Sequence, residues 1–335
     1  MTDARPSPSL WSRIKARVGG WFGRPAPFGR WVTGGAFSIH GTVGTQPFLV
    51  PRRRFRLYVP RGWTKVSPAP LVALIHGCQQ TPEEFARGTR IEALADRLGT
   101  LVLMPRQKRT ANPYRCWNWF DRRTADGRGE AAIVAAMIGK VLRRYRADPA
   151  RVVAAGISSG AGLAAILGVR FPGLVRGVMA HSGIACGAAA SAFTALTVMK
   201  LGPETDVAAI AADARRHAGT DAPVRLLAVQ GRDDAVVAPR NAAALARQYL
   251  ALNGVDVPGG AATTLPPPDR DARDATDPAR VVRVREWSRD GRPLVRLVEV
   301  EGLGHAWGGG DATLPYNDAS APDATAMLES WLALA

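Results

Sequence analysis

The segment Gly156-Ile157-Ser158-Ser159-Gly160 stands between an apolar run, Val152–Ala155, and a helix-forming run, Ala161–Val169. A serine at so sharp a strand-to-helix turn is forced into a strained backbone. Only small neighbours avoid clashes there, which accounts for the flanking glycines. The turn lifts the serine hydroxyl above the sheet at a helix N-terminus, where free N–H groups favour negative charge. Few arrangements of a chain place a residue in this way, and the rest of the sequence has to supply the sheet.

It does so from residue 53 onward. Arg54–Val59 reads as a strand and Leu71–Ile75 as a fully buried one ending at His76-Gly77. A helix is expected from Pro82 to Leu98, then a strand over Leu101–Met104 and a strongly periodic helix from Glu130 to Arg146 (Ile133, Met137, Val141, Leu142, Tyr145). Gly177–Ala180 and Arg225–Val229 follow as strands, and Ala242–Leu252 as a helix. Residues 254–279 read as a long surface loop. Val281–Trp287 and Leu294–Val300 then flank Asp290-Gly291, a hairpin signal with a loop longer than two residues. A helix over Ala321 to Leu334 closes the chain. Strands separated by helices of this length imply crossover connections, hence a doubly wound, mainly parallel α/β sheet with helices on both faces.

Residues 1–50 differ. They form a basic, Gly/Pro-punctuated arm, with 51–335 as the catalytic domain. Through residue 61 the chain carries eleven Lys and Arg against the single acid Asp3, so +10 of the net +16 lies there. The remainder is only mildly basic and lacks aromatic-basic interleaving, so no nucleic-acid partner is expected. Trp11, Ile14, Val18, Trp21 and Phe22 fall near one helical face. The arm reads either as an amphipathic segment for peripheral surface binding or as one whose aromatics pack on the domain. Neither a transmembrane segment nor a secretory signal is apparent, which leads to the expectation of a cytoplasmic or granule-associated protein.

A serine hydroxyl is a poor nucleophile until a base takes its proton, and the chain has five histidines. His305, in Gly302-Leu303-Gly304-His305-Ala306-Trp307, lies just beyond the last long strand, the position expected when the order along the chain is serine, acid, histidine. The acid should follow Arg225–Val229, where Asp233 and Asp234 are adjacent. Asp234 is preferred, because it heads a D-x-x-V pattern that turns the carboxylate inward while Val237 anchors the loop. Two backbone N–H groups would hold the oxyanion, that of Ser159 after the nucleophile and that of Cys78 in the loop after Leu71–Ile75. His76 is assigned a structural role in that loop. Together these residues predict an α/β-hydrolase fold with Ser158, Asp234 and His305 as a catalytic triad. No cofactor is expected, and the three cysteines, Cys78, Cys116 and Cys186, are not in metal-ligand spacing.

His76-Gly77-Cys78, Phe85-Ala86-Arg87-Gly88-Thr89, Cys116-Trp117-Asn118-Trp119-Phe120, the Ser158 motif and Gly302 to Trp307, in that order, resemble the polyhydroxybutyrate depolymerase esterase family, short type 1 catalytic domain. The resemblance runs from about residue 53 to 334. It implies the same triad and oxyanion donors and a substrate among short-chain hydroxyalkanoate esters, polymeric or oligomeric. Members are commonly secreted, which makes an extracellular location the alternative. Where the family often has G-D-A-D this chain has Gly231-Arg232-Asp233-Asp234. The resemblance also brings Cys78 and Cys116 near each other. A disulfide there would argue for an oxidising compartment and free thiols for the cytoplasm. Trp307, Trp117 and Trp119 are candidates to line the ester cleft, Trp307 foremost, with core packing the equal alternative for the other two. The competing functions are a carbohydrate esterase removing acetyl or feruloyl groups, and a granule- or membrane-surface binding protein with secondary esterase activity.

Overall fold

Buried strands with apolar side chains on alternate sides organise the chain, and β3 (Ala69–Ile75) illustrates how. Leu71, Ala73 and Ile75 enter the core on one face of the sheet, and Val72 and Leu74 the core on the other. The structure is a computed structural model describing residues 29–37 and 52–334. Its main sheet also contains β1 (Arg30–Phe37), β2 (Arg52–Val59), β4 (Leu101–Pro105), β5 (Ala147–Ile157), β6 (Gly177–His181), β7 (Arg225–Gly231), β8 (Arg270–Asp274), β9 (Val282–Arg289) and β10 (Arg292–Val300). The ten strands lie in the order β1-β2-β4-β3-β5-β6-β7-β10-β9-β8. From β4 through β10 neighbours run parallel, and both flanks are antiparallel.

Helices cover both faces, as the alternation of elements requires. On one side lie α4 (Gly129–Tyr145), α5 (Ser159–Arg170) and α8 (Arg240–Leu252), contributing Ile133, Met137, Val141, Leu163, Ile166, Leu245 and Tyr249. The other side has α1 (Pro82–Thr89), α2 (Ile91–Leu98) and α9 (Ala324–Leu332), with Phe85, Ile91, Leu94, Leu328 and Trp331. A Thr81–Glu84 capping box starts α1: the Glu84 N–H donates to Thr81 Oγ1 at 3.2 Å, and the Thr81 N–H to Glu84 Oε2 at 2.8 Å.

Several expectations need correcting. The single helix over 82–98 is two, because Arg90 adopts a left-handed conformation (φ 53°) that closes α1 on its own carbonyls. Residues 30–37, placed in the basic arm, form an edge strand with all eight residues paired to β2. Beside that strand Arg53, within the domain expected from residue 51 onward, is buried 3.6 Å from the Glu130 carboxylate. The arm residues Trp11, Ile14, Val18, Trp21 and Phe22 lie outside the described residues. The loop expected at 254–279 contains the edge strand β8, whose Arg-Asp-Ala-Arg-Asp sequence carries no apolar periodicity and pairs through Arg283–Asp271 contacts at 2.6 Å. The β9–β10 turn is tighter than expected. Arg289 pairs with Arg292, leaving Asp290 (φ 52°) and Gly291 (φ 70°) as a two-residue connection. Three further helices, α3 (Arg122–Ala125), α6 (Ala192–Leu201) and α7 (Val207–Arg216), were not anticipated.

Candidate active site

The parallel strands deliver every proposed triad residue to the same edge. Ser158 follows β5, Asp234 follows β7, and His305 follows β10. Ser158 sits at φ 56° and ψ −123°, a region that costs a non-glycine residue on the order of 1–3 kcal/mol and persists only where its surroundings enforce it. The enforcement is visible. The Ser158 N–H donates to the His181 carbonyl at 2.9 Å, while its own carbonyl accepts from Gly162 at 3.0 Å in the first turn of α5. Gly160 lets that turn press against the end of β3, since a Cβ there would lie 2.2 Å from the Ile75 carbonyl oxygen and 2.5 Å from that of His76. The nucleophile turn and the loop bearing Cys78 are therefore packed backbone to backbone.

Asp234 and Asp233 are separated by burial. Asp233 is exposed, whereas the Asp234 side chain is fully buried and accepts a hydrogen bond from His305 Nδ1–H at 2.8 Å. Asp234 Oδ1 accepts from the N–H groups of Val236 (2.9 Å) and Val237 (2.8 Å), so Val237 anchors the loop by its backbone as well as its buried side chain. Burial pushes the Asp234 carboxyl up. The hydrogen bond and charge of His305, the Val237 N–H and the Ser182 hydroxyl outweigh it, and the group is held below the usual carboxylate range. Gly231 admits the His305 loop, because a Cβ there would meet the Leu303 carbonyl oxygen at 2.1 Å. Arg280 fixes the far side of that loop, donating to the Gly302 carbonyl and pairing with Asp318 at 2.6 Å. Asp318 belongs to β12 (Asn317–Asp318), which pairs with β11 (Trp307–Gly308). The structure thus joins Asp234 to His305 directly. Among the described residues Ser158 makes no hydrogen bond to His305, a contact that in this chemistry often tightens only with substrate present.

The proposed oxyanion donors are both at hand. Gly77 N–H is engaged by Gln80 Oε1 (2.8 Å) and Gln79 N–H by the Tyr114 carbonyl (2.6 Å), while Cys78 N–H, between them, meets no acceptor among the described residues. Ser159 opens α5, where N–H groups lack intrahelical partners. Cys78 and Cys116 are joined in a disulfide with Cα atoms 4.2 Å apart, and the Ser159 hydroxyl donates to Cys78 Sγ at 3.4 Å. His76 is buried, with Nδ1–H donating to the Gly77 carbonyl (2.7 Å) and Nε2 accepting from Gln107 N–H (3.3 Å). Desolvation pushes it down to about 4, so it remains neutral in its supporting place. Gln107 continues to the buried Glu130, which also accepts from Asn118 N–H at 2.7 Å and so secures the Cys116 segment.

The tryptophans do not line a cleft. Trp307 is wholly buried, donating to Thr325 Oγ1 at 3.1 Å and packed on Phe85 and His181; Trp117 and Trp119 are buried too. The apolar character that recommended them is spent on the core. Sequence patterns gave no signal for Tyr316, which meets the His305 ring edge-on at 6.2 Å, or for His181, Ser182 and Gln230 behind Asp234. A cavity of about 680 Å³ between β2 and α1–α2, bordered by Trp31, Tyr58, Arg87 and Arg90, contains none of the triad residues.

A serine at a strained strand-to-helix turn, with an Asp–His pair on later strands of one parallel sheet, defines the α/β-hydrolase class. Residues 53–265 match the family described as esterase PHB depolymerase, and the chain belongs to that family. It is 28% identical over 251 residues to "Poly(3-hydroxyalkanoate) depolymerase C" of Paucimonas lemoignei, covering 74% of this chain and 57% of that one. It is 32% identical over 145 residues to "Feruloyl esterase B" of Neurospora crassa, covering 42% and 48%. The chain spans about half the length of these relatives. Among solved structures, an acetyl xylan esterase from Aspergillus awamori shares the fold with a TM-score of 0.68 at 18% identity, covering 91% of this chain and 100% of that one.

Proposed function

We propose that the chain is a serine carboxylic ester hydrolase acting through an acyl-enzyme on Ser158. The observation that carries this reading is the 2.8 Å contact of His305 with a fully buried Asp234, on the sheet edge that presents Ser158. With Nδ1–H held by the carboxylate, His305 keeps Nε2 free to accept the Ser158 proton as Oγ attacks the ester carbonyl. The oxyanion falls to the N–H groups of Cys78 and Ser159, each worth about 3–4 kcal/mol in such sites. His305 then protonates the departing alkoxide, and water activated by the same nitrogen releases the acid. Ser158→Ala should abolish turnover of a p-nitrophenyl ester and labelling by a serine-directed phosphonate in a folded protein; persistent labelling refutes the assignment.

The proposed acyl group is a short-chain hydroxyalkanoate, in keeping with the depolymerase relative. The similarity to a feruloyl esterase favours a second reading, a carbohydrate esterase. Hydroxybutyrate oligomers assayed beside acetylated and feruloylated sugars separate the two. The Cys78–Cys116 disulfide supports work in an oxidising compartment in preference to the cytoplasm. No helix among the described residues is long and apolar enough to cross a membrane. Surface binding would fall to the basic arm. Deleting residues 1–28, which spares β1, should leave soluble-ester hydrolysis intact and weaken binding to polymer granules or anionic lipid; unchanged sedimentation with both removes the targeting role.

A further inference from the structure

The Asp234 carboxylate is held by more than its histidine. Gln230, near the end of β7 and fully buried, places Nε2 3.3 Å from Asp234 Oδ2, 3.0 Å from the Gly231 carbonyl and 3.1 Å from the Val237 carbonyl. All three neighbours only accept, so the amide must turn its nitrogen toward them. Its Oε1 is left buried without a partner among the described residues. An amide in that position is an expensive way to fill a strand interior, since a buried polar atom without a hydrogen bond opposes folding. The one charged group it reaches is the acid of the proposed triad.

Ser182 approaches the same carboxylate from the neighbouring strand. It follows β6 directly and is held at φ 50°, with its N–H on the Val229 carbonyl at 2.9 Å. Its hydroxyl is one of the groups that lower the Asp234 carboxyl against the effect of burial. The oxygen lies 3.3 Å from His181 Nδ1. His181 is buried and neutral, its Nε2 without a partner among the described residues and its ring stacked on Trp307 at 5.5 Å. The His181 carbonyl also receives the Ser158 N–H. The end of β6 therefore braces the nucleophile through its backbone.

We infer that Gln230 is a positioning residue of the ester hydrolysis proposed above, fixing the Asp234 carboxylate so that the His305 ring has a single orientation. The inference rests on that reading of the site. Gln230 acts through Asp234, so its removal should lower kcat and spare KM.

The test compares Gln230→Met, Gln230→Leu and Ser158→Ala on a soluble p-nitrophenyl ester, with the downfield proton NMR signal of His305 Nδ1–H recorded for each folded variant. Gln230→Met and Gln230→Leu should each lower kcat about 10- to 100-fold, the kinetic equivalent of one lost hydrogen bond to a charged group, with KM within about twofold. The downfield signal should shift or broaden in both. If Gln230→Met does not fold, Gln230→Leu decides alone. Unchanged kcat and an unchanged signal, or a raised KM with kcat intact, overturn the inference while Ser158→Ala is inactive. Full activity of Ser158→Ala instead overturns the serine-esterase reading itself.

Discussion

His305 Nδ1 stands 2.8 Å from Asp234 Oδ2, while the adjacent Asp233 faces solvent. The two aspartates should therefore respond very differently to the same change. In Asp234→Asn the side-chain oxygen can still accept from Val236 and Val237, which turns the NH₂ toward His305 and forces the wrong tautomer. We expect kcat on a soluble ester to fall about a thousand- to ten-thousand-fold with the fold intact. Asp233→Asn should change it by less than about twofold, as surface substitutions usually do. Equal losses in the two would remove the assignment of the acid.

The close contact of α5 with β3 makes Gly160 a sensitive position. A methyl group there must displace the Ile75 and His76 carbonyls, both backbone, and with them the loop bearing Cys78. Gly160→Ala should cost about 1–3 kcal/mol of stability, the usual range for overpacking, and lower kcat with it. Gly139, in the middle of α4, is a control: the one neighbour a Cβ would meet is the flexible end of Arg143 at 3.4 Å. Gly139→Ala should stabilise by about 0.5–1 kcal/mol, because alanine loses less backbone entropy in a helix. Urea midpoints of the two variants check both signs.

Buried histidines give the protein a distinct acid sensitivity. Burial pushes His76 down to about 4 and, with the nearby His305 charge, His181 down to about 3. Below the ordinary histidine range the unfolded chain takes up protons that the folded chain refuses, so stability falls as pH falls from about 6.5, by up to about 2.7 kcal/mol per pH unit for the pair. The loss levels off once pH passes the folded values. Glu130 opposes it, because burial pushes its carboxyl up despite its bonds to Gln107 and Asn118, so it binds a proton more readily when folded. Asp234, lowered in the folded state, adds its own loss only below the carboxylate range. A thermal midpoint that stays flat between pH 7 and pH 5 would contradict this account.

How much of this could be read from the chain depends on where each signal resides. The central strands were legible because burial on both faces demands unbroken apolar runs, as in Leu71–Ile75. Edge strands lean more on pairing: Arg270–Asp274 has no apolar run, and in Arg30–Phe37 Gly34-Gly35 interrupts the run although Val32 and Ala36 pack on the core. The break at Arg90 was hidden because a left-handed arginine has no distinctive neighbours in sequence. Ser158, Asp234 and His305 could be proposed from the sequence because chemistry restricts both their type and their order, and the last two meet at 2.8 Å. Gln230 was missed because the carboxylate it meets, four residues on, is placed only once the loop after β7 folds back. Trp307 misled through proximity: two residues from His305 in sequence, it faces the opposite way, into the core.

The Cys78–Cys116 disulfide links the loop after β3 to the segment held by Glu130, closing a loop with a sequence separation of 38 residues. In the chain-entropy model a crosslink of that span contributes about 4 kcal/mol. Losing it should act on function as well as stability, because the bond holds the residue whose N–H is proposed to meet the oxyanion. The Gly77 and Gln79 hydrogen bonds keep part of that loop in place without it. Cys116→Ser should therefore lose several kcal/mol of stability and about 10-fold in kcat, less than the 100-fold or more that follows complete loss of an oxyanion donor. Reductant should reproduce both effects on the unmodified protein and neither on the variant, since Cys186 is unpaired and buried. Denaturant midpoints and kcat measured with and without a thiol supply the check. A fall in midpoint with kcat unchanged would mean that the disulfide braces the fold while other contacts hold the Cys78 N–H.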